Sequence, residues 1–336
     1  MNRRKKSTIK DIAELSGVSV ATVSRVINNN GRFSDETRKK VESVIEQYQY
    51  TANMAGKSLR QNQSRTIGML VPDITNELFA QIVLEVEKFF FSHGYSVLVC
   101  NTDGEEDKEK AYFRILESKL VDGIICISGS HEISFDSLSS GIPIVCIDRK
   151  PNTDIDVDYV ESDQYLGAYI ATELLIKKGC KRIIILSRRK PFSTDAQRLR
   201  GYEAAMRDNH LDIMDDFIVL LGGNVNNYVE SRDIVFYMIK KGVPFDGIFA
   251  TNDWRAHGAL VALQQNNIPV PEQVKIVGFD GVSVSKYCYP SITTIQQNKK
   301  ELAIQASDIL LRRITNLPVD NRHIVIPVGL IERGTT

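Results

Sequence analysis

STIKDIAELSGVSVATVSRVINNNGRFSDETRKKVESVIEQYQY, residues 7–50, carries three helical signatures separated by two turns. Thr8 is a good N-cap, and Asp11 three residues later completes a capping-box pattern. Ile9, Ile12 and Leu15 give the buried stripe of a first helix ending near Ser16. Gly17 supplies the left-handed residue that a sharp turn requires. Ser19 caps a second helix, VATVSRVIN, whose Val23, Val26 and Ile27 face inward. Ser34 caps a third, with Val41, Val44, Ile45 and Tyr48 apolar. Three short helices with a tight turn between the first two describe a helix-turn-helix unit.

The second helix has an unusual remainder. Val20, Ala21, Thr22, Ser24 and Arg25 lie away from the Val23/Val26 stripe or at its edge. Small side chains at a helix N-terminus allow close approach to base edges in a major groove, and the fork of Arg25 suits guanine O6/N7. Hydroxyls of Thr8, Ser19, Thr22 and Ser24 are placed to meet phosphates, and Asn28 completes the DNA-facing set. The plainer alternative is a solvated three-helix cap with a surface arginine. Charge placement favours DNA. Lys+Arg and Asp+Glu number 42 each over the 336 residues, yet residues 1–65 hold 13 and 6, leaving 29 and 36 beyond. A basic head on an acidic body points to a phosphate-bearing partner for the head alone.

A chain of this length predicts two or three compact units. No apolar run approaches the roughly 18 residues needed to cross a bilayer, and no apolar h-region follows the basic start, so the sequence reads as cytoplasmic, with no membrane partner. The five cysteines form no CxxC pair and read as buried, reduced thiols. The five histidines lack H-E-x-x-H spacing, and no G-x-x-x-x-G-K-[ST] cradle occurs. No metal, no cofactor and no catalytic group is expected: no activated nucleophile or acid/base pair stands out. The cluster Arg182, Arg188, Arg189 and Lys190 reads as a solvated rim around one strand end, with contact to an anionic ligand or a phosphoprotein as the alternative.

Beyond residue 65 the pattern alternates. RTIGMLVP (65–72), YSVLVCNT (95–102), VDGIICIS (121–128) and GIPIVCID (141–148) suit buried parallel strands, with helical stretches between them. The alternation repeats from QYLGAYIATELLIKKG (164–179) through KRIIILS (181–187) and FDGIFATND (245–253) to VKIVGFD (274–280). Two βαβ arrays predict an α/β body of two doubly wound, parallel-sheet lobes behind an all-α head, with ligands at the carboxyl ends of strands. Asp73, Asn76, Asp148, Arg149, Asn252, Asp253 and Asp280 cluster at such ends.

The head resembles the DNA-binding unit of the lactose-repressor/galactose-repressor family of bacterial regulators, VSVATVSRVIN above all. The likeness continues through IGMLVPDITNELF, IVGFD, PSITTIQQ and IERGTT, so it spans essentially the whole chain. It implies a homodimer reading a pseudo-palindromic operator, with Val20, Ala21 and Arg25 as the base-reading positions. Residues 51–65 correspond to a hinge helix whose Leu59 wedges into the minor groove. Two departures stand there: Ala52-Asn53 replaces Pro-Asn, and Gly56 replaces alanine, a change costing a helix about 1 kcal/mol. The expectation is a hinge that folds only on operator.

The body resembles the type I periplasmic sugar-binding fold. That implies two lobes exchanging chain three times: about 66–160 with 291–319, and about 161–290 with 320–336. Carried onto this sequence, the pocket comprises Asn76, Phe79, Asp148, Arg149, Arg198, Asn252 and Asp280, whose donors and acceptors suit vicinal hydroxyls. Tyr228 and Trp254 add aromatic faces that either stack on a sugar or pack between helices. The function this implies is a repressor of carbohydrate genes, released by a sugar or sugar derivative. A sugar receptor or carbohydrate enzyme with an accessory head, or a regulator using a phosphoprotein corepressor, are the alternatives.

Overall fold

The structure is a computed structural model that describes residues 7–50, 63–128, 141–149, 157–190, 192–222 and 227–336. It divides into two units, Met1–Ser64 and Arg65–Thr336. The hinge positions, Leu59 among them with Ala52, Asn53 and Gly56, lie outside the described residues.

In the first unit, α1 (Ile9–Ser16), α2 (Val20–Ile27) and α3 (Asp35–Gln47) form the expected three helices. Thr8 and Asp11 make the reciprocal capping box, and Gly17 takes φ 63° at the turn. Ser19 and Ser34 accept from the amides of Thr22 and Thr37. Ile12, Ala13, Val23, Val26 and Val41 make the core. Two expectations fail. Leu15 is 47% exposed and Tyr48 44% exposed. The inward face of α1 runs through Ile12, Ala13 and Ser16, and Ser16 Oγ satisfies itself on the Ile12 carbonyl at 2.6 Å. Leu15 therefore lies one residue off the stripe. Tyr50, past the end of α3, fills the place expected of Tyr48.

The second unit holds two six-stranded sheets. The first contains β1 (Thr66–Val71), β2 (Ser96–Asn101), β3 (Gly123–Cys126), β4 (Ile144–Ile147), β5 (Asp158–Ser162) and β11 (His323–Ile326), in the order β11-β5-β4-β3-β1-β2. The second contains β6 (Ile183–Arg188), β7 (Ile218–Leu221), β8 (Gly247–Ala250), β9 (Lys275–Asp280), β10 (Thr293–Gln296) and β12 (Gly329–Ile331), in the order β12-β10-β9-β8-β6-β7. All pairings are parallel except β10 with β12.

The helices that enter from the strand ends are α4 (Glu77–Ser92) and α5 (Glu106–Ser118) in the first lobe. In the second they are α6 (Gln164–Lys177), α7 (Ser193–Asp208), α8 (Asn227–Lys240), α9 (Asp253–Gln265) and α10 (Ser283–Tyr287). Helix α11 (Lys299–Ile314) returns to the first lobe, where Leu302, Ala303, Ala306, Ile309 and Leu310 join the core with Ile67, Met69 and Phe90. Helices α6 and α7 pack closely because Gly201 leaves room: a Cβ there would lie 2.3 Å from the Tyr165 carbonyl oxygen.

The three crossings occur, but two boundaries shift. Strand β10 pairs with β9, Thr293 opposite Val277, so residues expected in the first lobe extend the second sheet. Strand β11 pairs with β5, His323 opposite Tyr159, so residues expected in the second lobe extend the first. Hydrogen-bond register with a preceding parallel strand decides membership, and both runs were short enough to fit either sheet. The cysteines are free, and all but half-buried Cys288 are buried. No helix among the described residues is long and apolar enough to cross a membrane.

Candidate functional site

On the head, Thr8, Ser19, Val20, Ala21, Arg25 and Asn28 are exposed, and Thr22 and Ser24 half-exposed. Val20 keeps 41% of its surface open although it is β-branched and apolar. That exposure has no folding benefit and suits a contact surface. Three polar members are already engaged along the helix and its caps: Ser19 Oγ and Thr22 Oγ1 lie 2.9 Å apart, and Asn28 Nδ2 donates to the Ser24 carbonyl at 2.7 Å.

In the body, the carboxyl ends of β1, β4, β6, β8 and β9 open on one cleft between the lobes. It is a cavity of about 80 Å³ lined by Asn76, Leu78, Phe79, Asp148, Arg149, Arg188, Thr194, Asp195, Arg198, Asn227, Thr251, Asn252, Arg255 and Asp280. Seven of the nine expected positions meet here. Asp148 and Asp280, each at the end of its strand, adopt φ 69° and 102°. Left-handed backbone at a non-glycine residue costs of order 1–3 kcal/mol and clusters at functional sites.

Arg198 is the centre of the cleft. Its Nε donates to Gln164 Oε1 at 2.8 Å, its Nη2 to Asp280 Oδ1 at 3.3 Å, and its Nη1 to the Thr251 carbonyl. The guanidinium also lies 3.8 Å from the Phe279 ring centroid. Gln164 passes the network to the first lobe by donating to Asp148 Oδ1 at 3.2 Å. Gln297 Nε2 donates to Asp280 Oδ1 at 2.7 Å. Burial pushes the Asp148 carboxyl up to about 6, against the opposing pull of Arg198 and Arg149. Burial likewise raises Asp280. Arg149 crosses between lobes: its guanidinium stacks 3.9 Å from Phe192 and 5.3 Å from Phe79, and its Nη1 donates to the Ser128 carbonyl at 2.7 Å. Glu77 on α4 reaches the second lobe by accepting from the Ser283 amide at 2.9 Å.

Four expectations change. Trp254 is 44% exposed and, with Tyr228, packs on His257, at ring distances of 6.1 and 5.2 Å; neither lines the cleft. Both rings meet His257 where α8 and α9 pack together. Asp73 closes its own turn by accepting from Thr75. Asp253 sits beneath the cleft, accepting from Thr294 Oγ1 at 2.6 Å and the Val282 amide at 2.8 Å, and burial pushes it up to about 8. The basic cluster divides along β6: Arg182 stands at the near end beside Asp246, whereas Arg188 reaches the cleft at the other.

Sequence reading missed Leu78, Thr194, Asp195, Asn227, Thr251 and Arg255, and placed Arg188 in a basic rim. Helical spacing could have found some. Thr194 and Asp195 precede Arg198 by four and three residues on α7, and Arg255 follows Asn252 by three on α9, so each shares a face with an expected residue.

Residues 8–53 match the pattern described as bacterial regulatory proteins, lacI family. Residues 64–334 match that of periplasmic binding proteins and sugar binding domain of LacI family. A repressor named PurR from Vibrio campbellii is 33% identical over 332 residues, 98% of each chain. The ribose operon repressor of Escherichia coli is 33% identical over 333 residues, 98% of this chain and 99% of its own. The lac repressor dimer bound to operator and the anti-inducer ONPF shares the fold, with TM-score 0.88 at 24% identity over 99% of both chains.

Proposed function

This chain belongs to the LacI family of bacterial regulatory proteins, and from that premise we propose that it acts as a homodimeric repressor released from its operator by a sugar or sugar derivative. It is a DNA-binding transcription regulator. Residues up to 50 form the reading head, with Val20, Ala21 and Arg25 addressing base edges and Thr8, Ser19, Thr22, Ser24 and Asn28 the backbone. Residues 51–65 join the heads to the bodies, with Leu59 as the minor-groove wedge. The observation that carries the effector reading is the cleft itself. Donors and acceptors from separate strand ends converge on a cavity of about 80 Å³, polar and roomy enough to hold water that a sugar's hydroxyls would replace.

The lobes already communicate through Gln164–Asp148, Arg149–Phe192 and Glu77–Ser283. A ligand filling the cleft closes the lobes about these contacts and biases the dimer away from the paired hinges. An effective switch needs a coupling on the order of 3 kcal/mol between effector and operator, at the upper end of ordinary allostery.

The test is anisotropy of the purified protein on operator fragments selected from the source genome, against scrambled competitor at moderate ionic strength. Arg25→Ala is expected to weaken operator binding by about 1–3 kcal/mol, the worth of one bidentate base contact. Equal affinity for scrambled DNA would end the regulator's reading of its site. Sugar titrations separate the effector readings. Release marks an inducer, tightening a corepressor, and conversion of the sugar an enzyme.

A further inference from the structure

We infer that the second-lobe half of the cleft is an anion subsite, and that the effector is a sugar bearing a carboxylate or phosphate which Arg255 receives. The inference rests on the sugar-effector reading and names the chemical class within it. Arg255 lines the cleft from α9 and is 3% exposed. Its Nη1 donates to Thr251 Oγ1 at 2.6 Å, and the nearest carboxylate oxygen, Asp195 Oδ1, stands 3.9 Å away. Its Nε has no hydrogen-bond partner among the described residues. A buried guanidinium N–H left unanswered is costly, and an acceptor placed on its edge removes that cost.

The neighbouring acidic groups have other partners, and only Asp195 also faces Arg255, through Oδ1 at 3.9 Å. Asp280 is held by Arg198 and Gln297, Asp148 accepts from Gln164, and Asp195 Oδ2 caps α7 through the Phe192 amide at 3.2 Å. Glu230, on the first turn of α8, contributes charge but lines no part of the cleft. Among the lining residues, Arg149, Arg188, Arg198 and Arg255 face only Asp148, Asp195 and Asp280. Burial pulls the Arg255 guanidinium down to about 10, so it remains charged at neutral pH. The amino ends of α7, α8 and α9 are represented in the lining by Thr194, Asn227 and Asn252, and they direct partial positive charge to the same place. A carboxylate or phosphate offers paired oxygens to the guanidinium edge, which a hydroxyl cannot.

The experiment is calorimetry on the full chain with matched probes: D-ribose, D-ribonate and D-ribose 5-phosphate, then D-glucose, D-gluconate and D-glucose 6-phosphate. An anionic member is expected to bind at least tenfold tighter than its neutral parent, and the gap to shrink in high salt. Aldonate against phosphate ester identifies the source of the charge. In Arg255→Met the ratio of anionic to neutral affinity is expected to fall to about one, with Arg255→Lys intermediate. Tightest binding by a neutral sugar overturns the subsite while leaving the sugar reading intact. Binding by no probe overturns both. Should the methionine variant fail to fold, the wild-type ratios and the lysine variant still decide.

Discussion

Replacing Arg198 by methionine keeps an apolar stem and removes the guanidinium. The residue is 6% exposed, so water does not take over its bonds. Gln164 Oε1, the Thr251 carbonyl and Asp280 Oδ1 each lose a donor. Asp280 keeps Gln297 and the nearby charge of Lys299, and it can take up a proton. The loss should therefore fall at the low end of the roughly 3–5 kcal/mol typical of a buried pair broken from one side. We expect about 3 kcal/mol. The cost should also depend on pH. Burial raises the Asp280 carboxyl and Arg198 pulls it back, so without Arg198 it rises further. A carboxyl raised above its unfolded value loses stability as pH climbs through its folded value and recovers it as pH falls. The deficit of Arg198→Met should therefore narrow from pH 8 towards pH 5. Urea unfolding, followed by circular dichroism and by fluorescence of Trp254, the single tryptophan, measures both effects. Adding Asp280→Asn should recover about 1–3 kcal/mol as a coupling between neighbours. A loss below 1 kcal/mol, a pH-independent loss, or strict additivity in the double variant would refute the network.

Asp253 gives a second pH prediction: its carboxyl, pushed up to about 8 by burial, makes the wild-type body lose stability as pH rises from about 4 to 8. Asp253→Asn, which can still meet Thr294 and the Val282 amide, should flatten that slope in melts between pH 6 and 9, and an unchanged slope would assign it elsewhere. Gly201→Ala brings a Cβ to 2.3 Å from the Tyr165 carbonyl oxygen, so α6 and α7 must part; we expect a loss on the order of 1–3 kcal/mol in urea unfolding. Thr8→Ala removes the capping box of α1 and should cost the head about 1 kcal/mol, read as a lower melting temperature of the head signal.

What the sequence determined by itself is what short-range physics encodes. Thr8, Gly17, Ser19 and Ser34 punctuate helices through bonds spanning three or four residues, and Val23 and Val26 recur at helical spacing, so the three helices of the head were legible, though not the exposed places of Leu15 and Tyr48. The alternation of apolar runs with amphipathic ones likewise announced two parallel sheets, because strands buried on both faces admit little else. Of the aspartates at strand ends, Asp148 and Asp280 marked the cleft, whereas Asp73 and Asp253 did not. Only the tertiary structure decided the rest. Whether 293–296 and 323–326 extend one sheet or the other depends on register with β9 and β5, and no neighbour in sequence carries that information. Trp254 and Arg255 are adjacent in the chain, yet one faces His257 and the other the cleft, because a helix turns about 100° per residue. Arg198 finds Asp280 only across 82 positions, after both sheets have closed on their cores.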